Sequence, residues 1–105
     1  MLKNNALKNE PERVGEVLDS AFLKVHGINQ TALGEALGVH RNHVARVIKG
    51  TQRLSFEMAI SLSKILNTEP DYWIRLQAEH DAWLAFDAVK NNQCKILITD
   101  NKKQS

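Results

Sequence analysis

The sequence predicts an all-α domain of five helices followed by a short C-terminal β-strand. Three observations carry that prediction. Apolar residues recur at helical spacing in five separate blocks. Helix-ending glycines and helix-starting Asn or Ser residues fall between those blocks: Gly27, Asn29, Gly38, Gly50 and Ser55. Near the end, Lys95-Ile-Leu-Ile-Thr99 is a β-branched run bounded by polar residues. A lone strand leaves its backbone groups unpaired. It is therefore expected to pair with its own copy in a dimer or to join a sheet in another chain.

In chain order, residues 1–12 are polar, end near Pro11, and read as a flexible arm. The first helix is expected from about Glu12 to Lys24, with Val14, Val17, Leu18, Ala21, Phe22 and Val25 on one face. Asn29 is placed to cap the second helix, which carries Ala32, Leu33, Ala36 and Leu37 on its apolar side. Gly38 then stands where the chain must stop and reverse, and a left-handed backbone suits glycine there. Gly34, one turn earlier, lies where the next helix must cross closely. Val39, Val44, Val47 and Ile48 point inward after the corner. Two short helices joined in this way, with a small residue, a turn glycine and paired apolar positions, form a helix-turn-helix pattern.

The third helix leaves His40, Arg41, Asn42, Arg46 and Lys49 on its outer side. Arginine can pair with guanine O6 and N7, asparagine with adenine N6 and N7, and lysine neutralises phosphate. The chain has 12 acidic residues, yet none lies between Glu35 and Glu57. A carboxylate in that window would be repelled by phosphates. Arg41, Asn42 and Arg46 are accordingly the expected base-reading residues. Gln30, Thr31, His40, His43, Lys49, Thr51 and Arg53 are expected on the phosphate backbone. The plainer alternative makes the same residues the solvated face of an amphipathic helix.

Ser55 is placed to cap the fourth helix, whose apolar face (Met58, Ala59, Leu62, Ile65, Leu66) should pack against the first. Pro70 suits the first position of a fifth helix reaching about Val89. That helix has two apolar stripes. One runs through Trp73, Leu76, His80, Trp83 and Leu84; the other through Ala78, Ala82, Ala85, Phe86 and Val89. One stripe can cover the core while the other meets a partner. The alternative is a long core helix with some exposed aromatic surface. The expected dimer or partner contacts are Trp83, Phe86, Val89, Ile96, Leu97 and Ile98. The whole divides into an arm (1–12), a DNA-binding and dimerisation domain (13–90), and a strand with its tail (91–105).

Composition narrows the classes of function. A net charge of +2 argues against a general polyanion binder, so nucleic-acid contact must come from one local basic face. Cys94 is the single cysteine, which excludes an intramolecular disulfide and fits a reducing compartment. The start has no apolar leader and no run is long enough to span a membrane, so a cytoplasmic protein with no membrane contact is expected. His40 and His43 have no nearby Cys, Asp or Glu to complete a zinc site, and no cofactor or metal is expected. Neither a nucleophile with its base nor a phosphate-binding glycine loop is evident, so the chain is not expected to be an enzyme.

Several segments together resemble one family. Val14-Gly-Glu-Val-Leu18, Gln30-Thr-Ala-Leu through Gly38-Val39, Val44-Ala-Arg-Val47 with Gly50, and Pro70-Asp-Tyr-Trp-Ile-Arg-Leu-Gln77 resemble the HigA antitoxins (the VapI group) of the lambda-repressor-like helix-turn-helix proteins. The likeness spans residues 13–84, and the proline–aromatic–tryptophan–Leu-Gln signature is its specific part. The chain departs from the family pattern at Arg13-Val14, where His-Pro is usual, and at His40, where Ser or Thr is usual. The resemblance implies a dimeric cytoplasmic antitoxin. Such a protein would bind a HigB-type toxin, a small ribosome-dependent mRNA endonuclease, and keep it inactive. It would also bind double-stranded operator DNA and repress its own operon. By that likeness Gln30, Arg41, Asn42 and Arg46 are the operator contacts. The alternative is a stand-alone repressor with no toxin partner.

Overall fold

A computed structural model describes residues 9–99. Five helices follow one another through short connections, as the periodicity predicts. The first, α1, covers residues 14–26. It is α-helical over Val14–Val17, widens to a π-helix over Leu18–Leu23, and is α-helical again over Lys24–His26. The others are α2 (Gln30–Leu37), α3 (Arg41–Lys49), α4 (Phe56–Leu66) and α5 (Tyr72–Val89).

The π segment changes which residues of α1 face inward. Bonding five residues apart carries the buried face from Leu18 to Leu23, both almost fully enclosed. Regular α spacing predicts Ala21 and Val25 there instead. Ala21 is exposed and Val25 is 68% exposed, while Phe22 packs at the edge of the core.

Leu18, Leu23, Leu33, Val44, Leu62 and Trp73 form the centre of the core, and each helix supplies at least one of them. Burying a side chain such as Leu18 or Leu62 contributes about 1.5–3 kcal/mol. Trp73 holds the start of α5. Its ring centroid lies 5.1 Å from those of Phe22 and Tyr72, and its indole N–H donates to Thr68 Oγ1 at 3.0 Å. α3 packs against α2 and α1. The main neighbours of α4 are α5 and α2, rather than α1 as the sequence suggests. Its face is Met58, Ala59 and Leu62, with Ile65 38% exposed. Pro70 sits in the turn ahead of α5 instead of in its first position, and Asp71 is the N-cap.

The expected strand is not present. Residues 92–99 have no regular secondary structure, and Ile96, Leu97 and Ile98 are 76%, 84% and 65% exposed. A β-branched run becomes a strand only beside a hydrogen-bonding neighbour, and the described residues of this helical body contain no sheet edge. Of the expected arm, residues 1–8 lie outside the described residues. Within 9–12, Glu10 is tied to the body. Its Oε2 accepts from Arg13 Nε at 2.8 Å and lies 2.9 Å from His80 Nε2 on α5. Among the described residues no helix is long and apolar enough to cross a membrane.

Candidate nucleic-acid interface

Each helix of the pair starts at a side-chain cap and ends at a left-handed glycine. Asn29 Oδ1 accepts from the Ala32 N–H at 2.7 Å and starts α2. Gly38, at φ 76°, ends it. A Cβ on Gly34 would sit 2.7 Å from the Val39 carbonyl oxygen, so the corner closes only because that position has no side chain. His40 then caps α3: its Nδ1 accepts from the Asn42 N–H at 3.1 Å. The bond puts the ring proton on Nε2, leaving the ring's one donor on the far side of the imidazole.

Val44 and Val47 turn inward and are buried, so the opposite face of α3 meets solvent. Arg41, Asn42, Arg46 and Lys49 are exposed there. Among the described residues the side chains of Arg41, Asn42 and Lys49 have no protein partner. Arg46 is held through one nitrogen only: Nε donates to Gln52 Oε1 at 2.9 Å, which leaves the Nη1 and Nη2 hydrogens available. At the start of α2, Thr31 is exposed and Gln30 half-buried. Thr51 is exposed as well, and its hydroxyl donates to the Arg46 carbonyl at 3.3 Å, closing the end of α3.

Two residues expected on phosphate, His43 and Arg53, also have partners within the chain. His43 is half-buried, with its Nε2 3.1 Å from Gln52 Nε2. Arg53 Nη2 is paired with Asp81 Oδ2 on α5. The stretch free of acids along the chain is thus not free of them in space. Arg53 belongs to a lock between the loop after α3 and the last helix. In that lock the Leu54 N–H donates to Gln77 Oε1 at 2.9 Å, and Gln77 Nε2 donates to Asp81 Oδ1 at 2.9 Å.

The sequence places Gln52 with Thr51 and Arg53 as a polar group beside the groove, and the internal roles of Gln52, Gln77 and Gly15 were not legible in it. Gln52 stands among polar loop residues and carries no local signal of its bond to Arg46. Gln77 lies inside the Pro70–Gln77 signature, whose last residue proves to be the loop anchor. Gly15 is buried on α1, and a Cβ there would be 2.6 Å from the Val47 carbonyl oxygen and closer still to that of Ile48.

Of the expected partner contacts, Phe86 and Val89 on α5 are 57% and 49% exposed, alongside Leu84 at 49%. Trp83 is half-buried, its ring 6.1 Å from that of His80. The first part of the Trp73 stripe, Trp73 and Leu76, therefore faces the core, while Leu84 at its far end and the Phe86 stripe are uncovered.

A capped, glycine-cornered pair of helices presenting unpaired Arg, Asn and Lys side chains defines a helix-turn-helix DNA-binding protein. The helix-turn-helix family model HTH_3 matches residues 22–73. The antitoxin HigA-1 of Vibrio cholerae is 42% identical over 76 residues, covering 72% of this chain and 71% of that protein. The structure of Pseudomonas aeruginosa antitoxin HigA with the higBA promoter superposes with a TM-score of 0.77 at 28% identity, covering 84% of this chain and 99% of the other. Antitoxin GraA in complex with its operator gives 0.74 at 30% identity, over 93% and 100% of the two chains. The chain belongs to the HigA antitoxin family of lambda-repressor-like helix-turn-helix proteins.

Proposed function

We propose that this protein is a dimeric antitoxin that represses its own operon by binding operator DNA and keeps a HigB-type mRNA endonuclease toxin inactive. It works by binding, without catalysis of its own, in the cytoplasm. The observation that carries the DNA half is the outer face of α3, where Arg41 and Asn42 have no partner among the described residues and Arg46 keeps its two terminal nitrogens. The promoter and operator complexes formed by HigA and GraA support the same reading.

In this mechanism two α3 helices of a two-fold dimer enter successive major grooves about 34 Å apart. Arg41, Asn42 and Arg46 read bases. Gln30, Thr31, His40, Lys49 and Thr51 grip phosphates, with the His40 Nε2–H as donor. His43 and Arg53 act from behind, holding the loop and helix that carry the others.

Band-shift titrations across salt concentrations test it, using the region upstream of the gene and a scrambled duplex. Arg46→Ala should lose about 10- to 100-fold on the cognate duplex and little on the scrambled one, since a bidentate base contact is worth about 1–3 kcal/mol. Lys49→Ala should weaken both alike and flatten the salt slope by about 0.9. Equal losses on both duplexes for both variants reject base reading. Co-purification with the product of the neighbouring gene tests the toxin half; its absence there favours a stand-alone repressor.

A further inference from the structure

Gln52 lies in the loop that leaves α3, and its side chain turns back to the helix. Its Oε1 accepts from Arg46 Nε at 2.9 Å, and its Nε2 lies 3.1 Å from His43 Nε2. Only one placement of hydrogens satisfies both contacts. A guanidinium nitrogen can only donate, so the amide oxygen faces Arg46. The amide NH2 then faces His43, whose Nε2 must accept and whose proton sits on Nδ1. The backbone is tied to the same residue. The Arg46 carbonyl accepts from the N–H groups of Thr51 and Gln52 at 3.0 and 3.3 Å. Arg46 is therefore held at its carbonyl and at its side chain by the loop that follows it.

We infer that Gln52, oriented by His43, is a specificity-determining positioning residue that aims the Arg46 guanidinium before DNA arrives. The inference rests on Arg46 reading a base, as proposed above. A long exposed arginine loses rotamer freedom when it docks, and a side chain already held at Nε loses less. Because Nε is the nitrogen engaged, the Nη1 and Nη2 pair is left for end-on contact with guanine O6 and N7. The contribution of Gln52 goes to discrimination between sequences, since a phosphate would accept from a freely moving arginine just as well.

The test compares a duplex enriched from a random library by the wild-type protein with a scrambled duplex of the same composition. Gln52→Ala should lower the ratio of the two affinities by about threefold to tenfold, the size of one net hydrogen bond. The scrambled duplex and the salt slope should be unchanged. Arg46→Ala with Gln52→Ala should be no worse than Arg46→Ala alone. In the free protein, the Arg46 Nε–H resonance should move to the free-arginine position in Gln52→Ala. Gln52→Glu keeps an acceptor for Arg46, so it should retain the ratio while its charge weakens both affinities.

Equal loss on both duplexes with a shallower salt slope would make Gln52 a phosphate contact and overturn the inference. So would an additive double variant, or a ratio that falls as far in Gln52→Glu as in Gln52→Ala. An Arg46→Ala protein that keeps wild-type selectivity overturns the base-reading assignment, and the role of Gln52 falls with it. A sensitive Arg46→Ala beside an insensitive Gln52→Ala overturns the role of Gln52 alone.

Discussion

His40 shows how one substitution keeps a local function by different atoms. A Ser or Thr cap turns its single side-chain oxygen toward the helix, whereas His40 caps with Nδ1 and keeps Nε2–H for another acceptor. Glu10 shows the opposite case, in which a residue read as part of a loose arm acquires two partners. The bond to His80 and then the bond to Arg13 hold its carboxyl below the usual carboxylate range. A lowered folded-state value means that the ion-paired form stabilises the fold above the unfolded-state range, and that this contribution fades as pH falls through the lowered value. Glu10 is solvent-exposed, so the effect on stability is small. Side-chain carbon NMR should place the Glu10 titration midpoint below the ordinary glutamate value, and His80→Ala should move it upward. In urea melts, the difference between wild type and Glu10→Gln should vanish as the pH drops through the carboxylate range. A Glu10 midpoint at the ordinary value in both proteins would show that the tie to α5 does not persist in solution.

At the scale of elements, the position of α3 depends on a glycine two helices away. Gly15 on α1 lets the last carbonyls of α3 approach the α1 backbone, and no side-chain rearrangement can relieve a Cβ that meets backbone oxygen. Gly15→Ala should therefore cost about 1–3 kcal/mol, as overpacking does, and lower the melting temperature by about 4–8 °C per kcal/mol. Wild-type stability in Gly15→Ala would mean that α1 and α3 can separate without cost. The contact was invisible in the sequence because helical periodicity marks apolar side chains, and a close backbone crossing has none. The corner between α2 and α3 was legible for the converse reason. Gly34, Gly38 and Val39 fall within one short stretch of chain, so their spacing alone specifies the geometry. α1 was legible as a helix but not in its facing, because a π turn shifts the register and brings Leu23 inward in place of Val25.

Across the whole molecule, the contacts that sequence could not foresee join residues far apart in the chain. Arg53 meets Asp81, and Leu54 meets Gln77, which ties the loop after α3 to the helix whose far end carries the uncovered stripe. The Lys95–Thr99 run shows the same limit in the other direction, since its composition favours a strand and the described residues provide no sheet edge. Phe86 and Val89, each about half exposed, lie beyond the part of α5 that covers the core. If they form the two-fold contact, Phe86→Asp with Val89→Asp should yield a monomer that is still folded, because neither residue belongs to the core cluster. Light scattering should then give half the wild-type mass, with an unchanged helical circular dichroism spectrum. On the cognate duplex, the variant should bind weakly and without the steep dependence on protein concentration that a dimer gives, because each half-site is then contacted independently. A double variant that remains dimeric and binds the full site with wild-type affinity would move the two-fold axis away from the end of α5.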